Sequence, residues 1–122
     1  MTTKYFTAGD LVIELDVDSS PMLMVWRGRS VSQFMSGELV EFVNRVFSDE
    51  KRQESLEVHV AQLEHANSQA IGFLTGFIGK TLERTAPTTL VYNPSLIFQK
   101  SLFAALAPMV ADRPQVRLME RA

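Results

Sequence analysis

The sequence predicts an α/β fold: a single mixed sheet of about five strands, the first antiparallel at the edge and the rest mainly parallel, with helices interleaved. Three observations carry this. Between Ser55 and Thr85 the period of the apolar residues changes once. Leu56, Val58 and Val60 alternate with Glu57, His59 and Ala61; after the stretch HANSQ, Ala70, Ile71, Leu74, Phe77, Ile78 and Leu82 recur at three and four. A two-residue period is that of a half-buried strand, and a three-to-four period is that of a helix packed on something flat. The same strand–loop–helix order repeats towards the C-terminus, and such alternation calls for right-handed parallel crossovers. Ahead of it stand two strand-like runs joined by a short turn, the pattern of an antiparallel hairpin.

In chain order, Leu11–Val17 places Leu11, Ile13, Leu15 and Val17 on one side and Glu14 and Asp16 on the other, as an edge strand with one wet face would. Asp18-Ser19-Ser20-Pro21 is a turn cluster, since Asp and Ser bond their own backbone and proline fixes its φ. Met22–Trp26 is apolar at every position, which predicts a strand covered on both faces. Arg27-Gly28-Arg29 is expected to end it, glycine permitting a bend that other residues resist. Ser30–Ser36 leads to a helix carrying Leu39, Phe42, Val43, Val46 and Phe47, with Ser36 as a candidate N-cap; Phe34 and Met35 point to an earlier start. The charged run 48–54 reads as an exposed loop.

The helix after HANSQ contains Gly72, Gly76 and Gly79, each costing about 1 kcal/mol against alanine. Close approach to the sheet or to a neighbouring helix is the expected compensation, and a helix-mediated homodimer the alternative. Ala86-Pro87 stops this helix, and Thr88–Tyr92 reads as a short buried strand. Asn93-Pro94-Ser95 is a loop with cap chemistry. The helix after it has Phe98, Leu102, Ala105 and Leu106 on one face, broadened by Leu96, Ile97 and Phe103. Pro108 and Pro114 bracket its exit, and Gln115–Met119 is the last strand.

At 122 residues the chain is long enough for one real core and too short for two, so one domain spanning 1–122 is expected. Net charge is −2, with 11 acids against 6 bases over residues 1–79 and 3 against 6 over 80–122. Neither half is dense enough in cations to track phosphates, so no nucleic-acid partner is expected. There is no cysteine, which excludes disulfides and thiolate metal sites and fits a reducing compartment. The opening MTTKYFTAGD has no apolar run of a signal peptide, and no stretch reaches the ~20 apolar residues of a membrane span. A cytoplasmic location with no membrane partner follows as the expectation.

Groups that could converge for catalysis are scarce. The two histidines are His59, mid-strand, and His65, three residues before Ser68. A Ser68–His65 pair has no orienting acid and no glycine-flanked elbow, and the two histidines lack the spacing of a metal motif. Gly76-Phe77-Ile78-Gly79-Lys80 lies within a helical period and does not match a phosphate-binding loop. An enzyme and a cofactor are therefore not expected. The six methionines fall mainly in strands and helix faces as core filler. What remains is the hydroxyl of Ser68, beside Asn67 at a helix start. Short polar side chains there accept from free backbone N–H groups, and the dipole favours negative charge. Phosphorylation would add about −1.5 to −2 charge and repel an acidic partner.

From Leu56 to Leu74 the chain resembles the STAS domain (sulfate transporter and anti-sigma-factor antagonist), in which a strand runs into Asp-Ser-Ser-Gly-Leu/Ile-Gly and then a helix. Here those positions read Asn67-Ser68-Gln69-Ala70-Ile71-Gly72. Gly28 after the second strand is similar to the family's glycine there, and Val91-Tyr92-Asn93-Pro94-Ser95 resembles its later strand–loop–helix. The likeness spans about residues 10–120. It implies a non-enzymatic bacterial signalling protein that acts by partner switching in transcription regulation. The serine after Asp/Asn is phosphorylated by a partner serine kinase that doubles as an anti-sigma factor, and the dephosphorylated form binds that kinase. Carried over, Ser68 is the phosphoacceptor and Asn67 positions it. The partner face comprises His65, Asn67 and Gln69 in loop 64–69, the exposed side of helix 69–84, and the 27–36 segment with Arg27 and Arg29. The chain departs from the motif at Asn67 for Asp, Gln69 for Ser and Ala70 for Gly. The alternative reading is a phosphorylation-independent STAS-like scaffold or homodimeric interaction module.

Overall fold

In the computed structural model, which describes residues 3–30, 37–48 and 50–121, ten elements follow one another. They are β1 (Lys4–Ala8), β2 (Leu11–Asp16), β3 (Met22–Ser30), α1 (Gly37–Val43) continued by a 3-10 turn (Asn44–Phe47), β4 (Leu56–Ala66), α2 (Ser68–Thr81), β5 (Thr88–Tyr92), α3 (Ile97–Ala111) and β6 (Val116–Glu120). The strands pair in sequence order in one six-stranded sheet. β1, β2 and β3 are antiparallel neighbours, and β3 to β6 are parallel. The α/β mixed sheet with interleaved helices is thus the architecture that the periodicity anticipates.

Each parallel crossover advances one strand in the same direction, and right-handed crossovers that all advance the same way place their helices on the same face. The burial agrees. Leu11, Ile13 and Leu15 of β2, Met22, Met24 and Trp26 of β3, and Leu56, Val58, Val60 and Leu63 of β4 form one cluster with Leu39 and Phe42 of α1, Leu74, Phe77 and Ile78 of α2, and Phe103 and Leu106 of α3. Trp26 sits beneath Phe73 and Phe77, with centroids 6.2 and 6.5 Å away, and Tyr92 stacks on Phe103 at 4.4 Å.

Among the described residues, no helix lies over the opposite face. Two cross-strand rows run across it, Asp16–Leu23–Glu57–Thr89–Arg117 and Tyr5–Glu14–Val25–His59–Val91–Met119. This corrects the expectation that Met22–Trp26 is covered on both faces: Leu23 and Val25 are half-buried, shielded by their neighbours in the sheet. It also corrects the edge assignment, because β1 pairs along β2 from Lys4↔Leu15 to Ala8↔Leu11. In KYFTA only Phe6 packs on the core, 5.9 Å from Phe42, so no apolar alternation announces this strand.

Other boundaries move for local reasons. β3 continues through Arg27-Gly28-Arg29 to Ser30, because Gly28 takes φ +92° and stays in the ladder opposite Leu11 and Leu63. Ser36 with Phe34 and Met35 lies outside the described residues. α2 ends at Thr81, before the expected 84, where the chain turns so that Arg84 donates to the carbonyl oxygens of Lys51 (3.0 Å) and Glu54 (2.6 Å) and to Thr88 Oγ1 (3.2 Å). That buried guanidinium pins the charged 48–54 loop onto β5, and burial pushes its pKa down. α3 does not exit at Pro108 but runs to Ala111. Ala104, whose carbonyl loses its partner there, and Pro108 are both exposed, so water can bond the freed oxygen. Its N-cap is Leu96 without a side-chain bond; Asn93 Oδ1 instead accepts from Ser95 N–H at 2.9 Å. Along α3 the buried face is Gln99, Phe103 and Leu106, while Ala105 is exposed.

Among the described residues, Gly72, Gly76 and Gly79 do not lie against the sheet or another helix. A Cβ built on any of them meets nothing within 4 Å. Their helical cost is therefore not offset by packing within the described chain. Gly76→Ala is expected to raise stability by about 0.5–1 kcal/mol, read as a higher urea midpoint with an unchanged m-value.

Candidate functional site

The carboxyl ends of the parallel strands gather the groups singled out by the sequence, and the irregularity of β4 decides how they are presented. Between the Val25↔His59 and Ser30↔Ala66 pairs β4 uses two more residues than β3, through two register shifts. Each extra residue bends the strand and increases its twist. The alternation of buried positions accordingly slips from Val60 to Leu63. β5 accompanies β4 only as far as His59↔Val91, so the end of β4 projects past it.

That projecting end is held by a residue that the sequence reading passed over. Gln99 of α3 is wholly buried, and its Nε2 donates to the carbonyl oxygens of Val60 (2.7 Å) and Leu63 (2.9 Å). Its Oε1 accepts from Asn93 N–H at 2.7 Å. One amide thus satisfies three backbone groups where two parallel strands part, groups that would otherwise be buried without partners. The available signal was its spacing: Gln99 stands four residues before Phe103 and seven before Leu106, a polar residue in the apolar stripe.

At the tip, Asn67 is the N-cap of α2. Its Oδ1 accepts from Ala70 N–H at 2.9 Å, and its own N–H donates to the Ser30 carbonyl at 2.9 Å, which ties the junction to the end of β3. Ser68 is the first helical residue and is exposed, as are Gln69 and His65. Among the described residues the N–H groups of Ser68 and Gln69 have no acceptor, as expected for the first turn of a helix. Arg29 is exposed and pairs in register with His65, so a guanidinium and an imidazole stand on adjacent strands just before the junction.

His65, Asn67, Ser68, Gln69 and Arg29 are therefore brought to one end of the sheet. Arg27 is not with them. It lies two residues earlier on the strand, over the uncovered face, where its Nη2 donates to Glu14 Oε1 at 2.8 Å. The rest of the 27–36 segment beyond Ser30 lies outside the described residues. The turn Gly9–Asp10 reaches the same end: Arg29 N–H donates to the Asp10 carbonyl at 3.2 Å. No hydrogen bond joins Ser68 to His65 among the described residues, and these residues contain no cluster of three or more acids and histidines fit to hold a metal.

The chemistry this arrangement offers is anion acceptance at an exposed hydroxyl. Oxygens added to Ser68 would meet two free N–H groups and the positive end of α2. Comparison with protein-family models and with curated proteins found no match to this chain. No described helix is long and apolar enough to cross a membrane.

Proposed function

We propose that this chain is a non-enzymatic, cytoplasmic binding protein of the STAS-like, anti-sigma-factor-antagonist type, whose affinity for a serine kinase/anti-sigma-factor partner is switched by phosphorylation of Ser68. The observation that carries the reading is the placement of Ser68: exposed, first in α2, with the cap supplied by Asn67. Because Asn67 holds Ala70 N–H, the Ser68 hydroxyl is not needed as a cap and is left for modification. The resemblance of Asn67–Gly72 to the family's phosphoacceptor motif supports the same residue. Arg29, His65 and Gln69 form the rest of the partner face.

A phosphate on Ser68 would be held locally by the free N–H groups and would present about −1.5 to −2 charge to the partner. Repulsion of acidic groups on the partner then releases it without refolding of this domain. Incubation with such a kinase and ATP is expected to place one phosphate on Ser68 by mass spectrometry, and Ser68→Asp to weaken kinase binding by roughly tenfold or more. Labelling that persists undiminished in Ser68→Ala would overturn the assignment.

A further inference from the structure

We propose that the uncovered face of the sheet is a contact surface between two copies of this chain, packed face to face about a two-fold axis along β4. The three helices occupy one face, which leaves half-buried Leu23 and Val25 and exposed Met119 on the other; Met119 is 39% exposed, whereas Val91 in the same row is buried at 3%. One of the charges there is already neutralised within the sheet, and a second is hydrogen-bonded. Glu14 is bonded to Arg27 at 2.8 Å, and Glu57 Oε1 stands 3.0 Å from His59 Nε2 on its own strand.

The row then carries an acid and a base at its opposite sides, with Glu57 between them. Asp16 lies on β2 and Arg117 on β6, each two strands from β4. Rotation by a half-turn about β4 exchanges β2 with β6 and β3 with β5. It sets Asp16 against Arg117 of the second copy, Val25 against Val91, and Leu23 against Thr89. Glu57 and His59 fall on the axis, where each carboxylate keeps its own imidazole. Asp16 Oδ1 accepts from Asp18 N–H and Ser19 N–H at 3.0 and 3.1 Å, which leaves Oδ2 for a guanidinium. Arg117 is exposed and has no hydrogen bond or ion pair among the described residues.

Shape agrees with charge. A half-turn about a central strand carries a twisted sheet onto a surface of the same twist, so the two faces nest instead of diverging. The five strands that overlap, β2 to β6, about 4.8 Å apart and five residues long, cover roughly 400 Å² of sheet plane per copy. Two copies thus bury about 800 Å², below the ~1,000 Å² of a stable specific contact, so the contact is a weak one.

The test is sedimentation velocity of the full chain from roughly 1 µM to 1 mM, the span of weak association. A concentration-dependent dimer is expected. Arg117→Glu should raise its dissociation constant at least about tenfold, and adding Asp16→Lys should restore it to within about threefold. Asp16→Asn, which keeps an oxygen for the turn but removes the charge, should weaken the dimer as well. Circular dichroism melts report whether each variant is folded. A monomer throughout the range, or a dimer indifferent to both Arg117→Glu and Asp16→Asn, overturns the proposal. Ser68→Asp is expected to leave the dimer unchanged, because α2 covers the other face.

Discussion

Gln99→Leu is expected to lower the unfolding free energy by about 3–5 kcal/mol, a large part of the ~5–15 kcal/mol that holds a domain of this size. Leucine matches the volume and polarity of the stripe around Phe103 and Leu106, so the loss does not come from packing. It comes from the buried carbonyl oxygens of Val60 and Leu63 and the part-buried N–H of Asn93, which lose one shared partner. Each such orphan costs about 1–3 kcal/mol. Gln99→Glu is expected to fare no better at neutral pH, since a carboxylate accepts from Asn93 but cannot donate to two carbonyls. Urea denaturation followed by circular dichroism measures both. Wild-type midpoints would show that the parting of β4 and β5 is satisfied in some other way. The end of β4 carries His65 and the Asn67–Ser68 junction, so the variant should also expose this end. Faster amide exchange over 60–67 in a still-folded population is the expected sign.

Gly28→Ala is expected to cost about 3 kcal/mol or more. Two effects add. At φ +92° an L side chain is strained, and a Cβ there would overlap the Asp10 carbonyl oxygen and lie 3.1 Å from its carbon. Both atoms are backbone, so relief requires moving the β1–β2 turn, which also accepts from Arg29 N–H. By contrast Gly9→Ala, also at positive φ but with nothing within 4 Å, should lose only the strain, about 1–2 kcal/mol. Comparison of the two thermal or urea unfolding curves separates strain from overlap; equal losses would mean that the turn yields freely. The larger loss at Gly28 should come with displaced resonances for Arg29 and His65, because the bend at Gly28 sets where the strand delivers them.

Much of this organisation can be read from residue patterns. The change of period at HANSQ marks β4 and α2 because each element shows one face to the core and one to water. Asn67 and Ser68 fall at the helix start because their short side chains compete for backbone groups there. Elements without an amphipathic signature escape such reading. β1 buries only Phe6, and the extent of α3 through Pro108 depends on an exposed carbonyl that tolerates solvent. Arg27 and Arg29 share one face of β3, yet the ion pair with Glu14 holds Arg27 over the sheet while Arg29 stands beside His65 at the strand's end.

The sequence by itself determined the α/β class, the parallel order after the hairpin and the place of Ser68 at the head of a helix, since all three depend on local periodicity and capping. The tertiary structure decided which face of the sheet stays bare, that the three glycines of α2 face open space, and that Gln99 braces the end of β4. Those outcomes depend on which distant backbone groups are left without partners once the strands are placed side by side, and no stretch of chain carries that information alone.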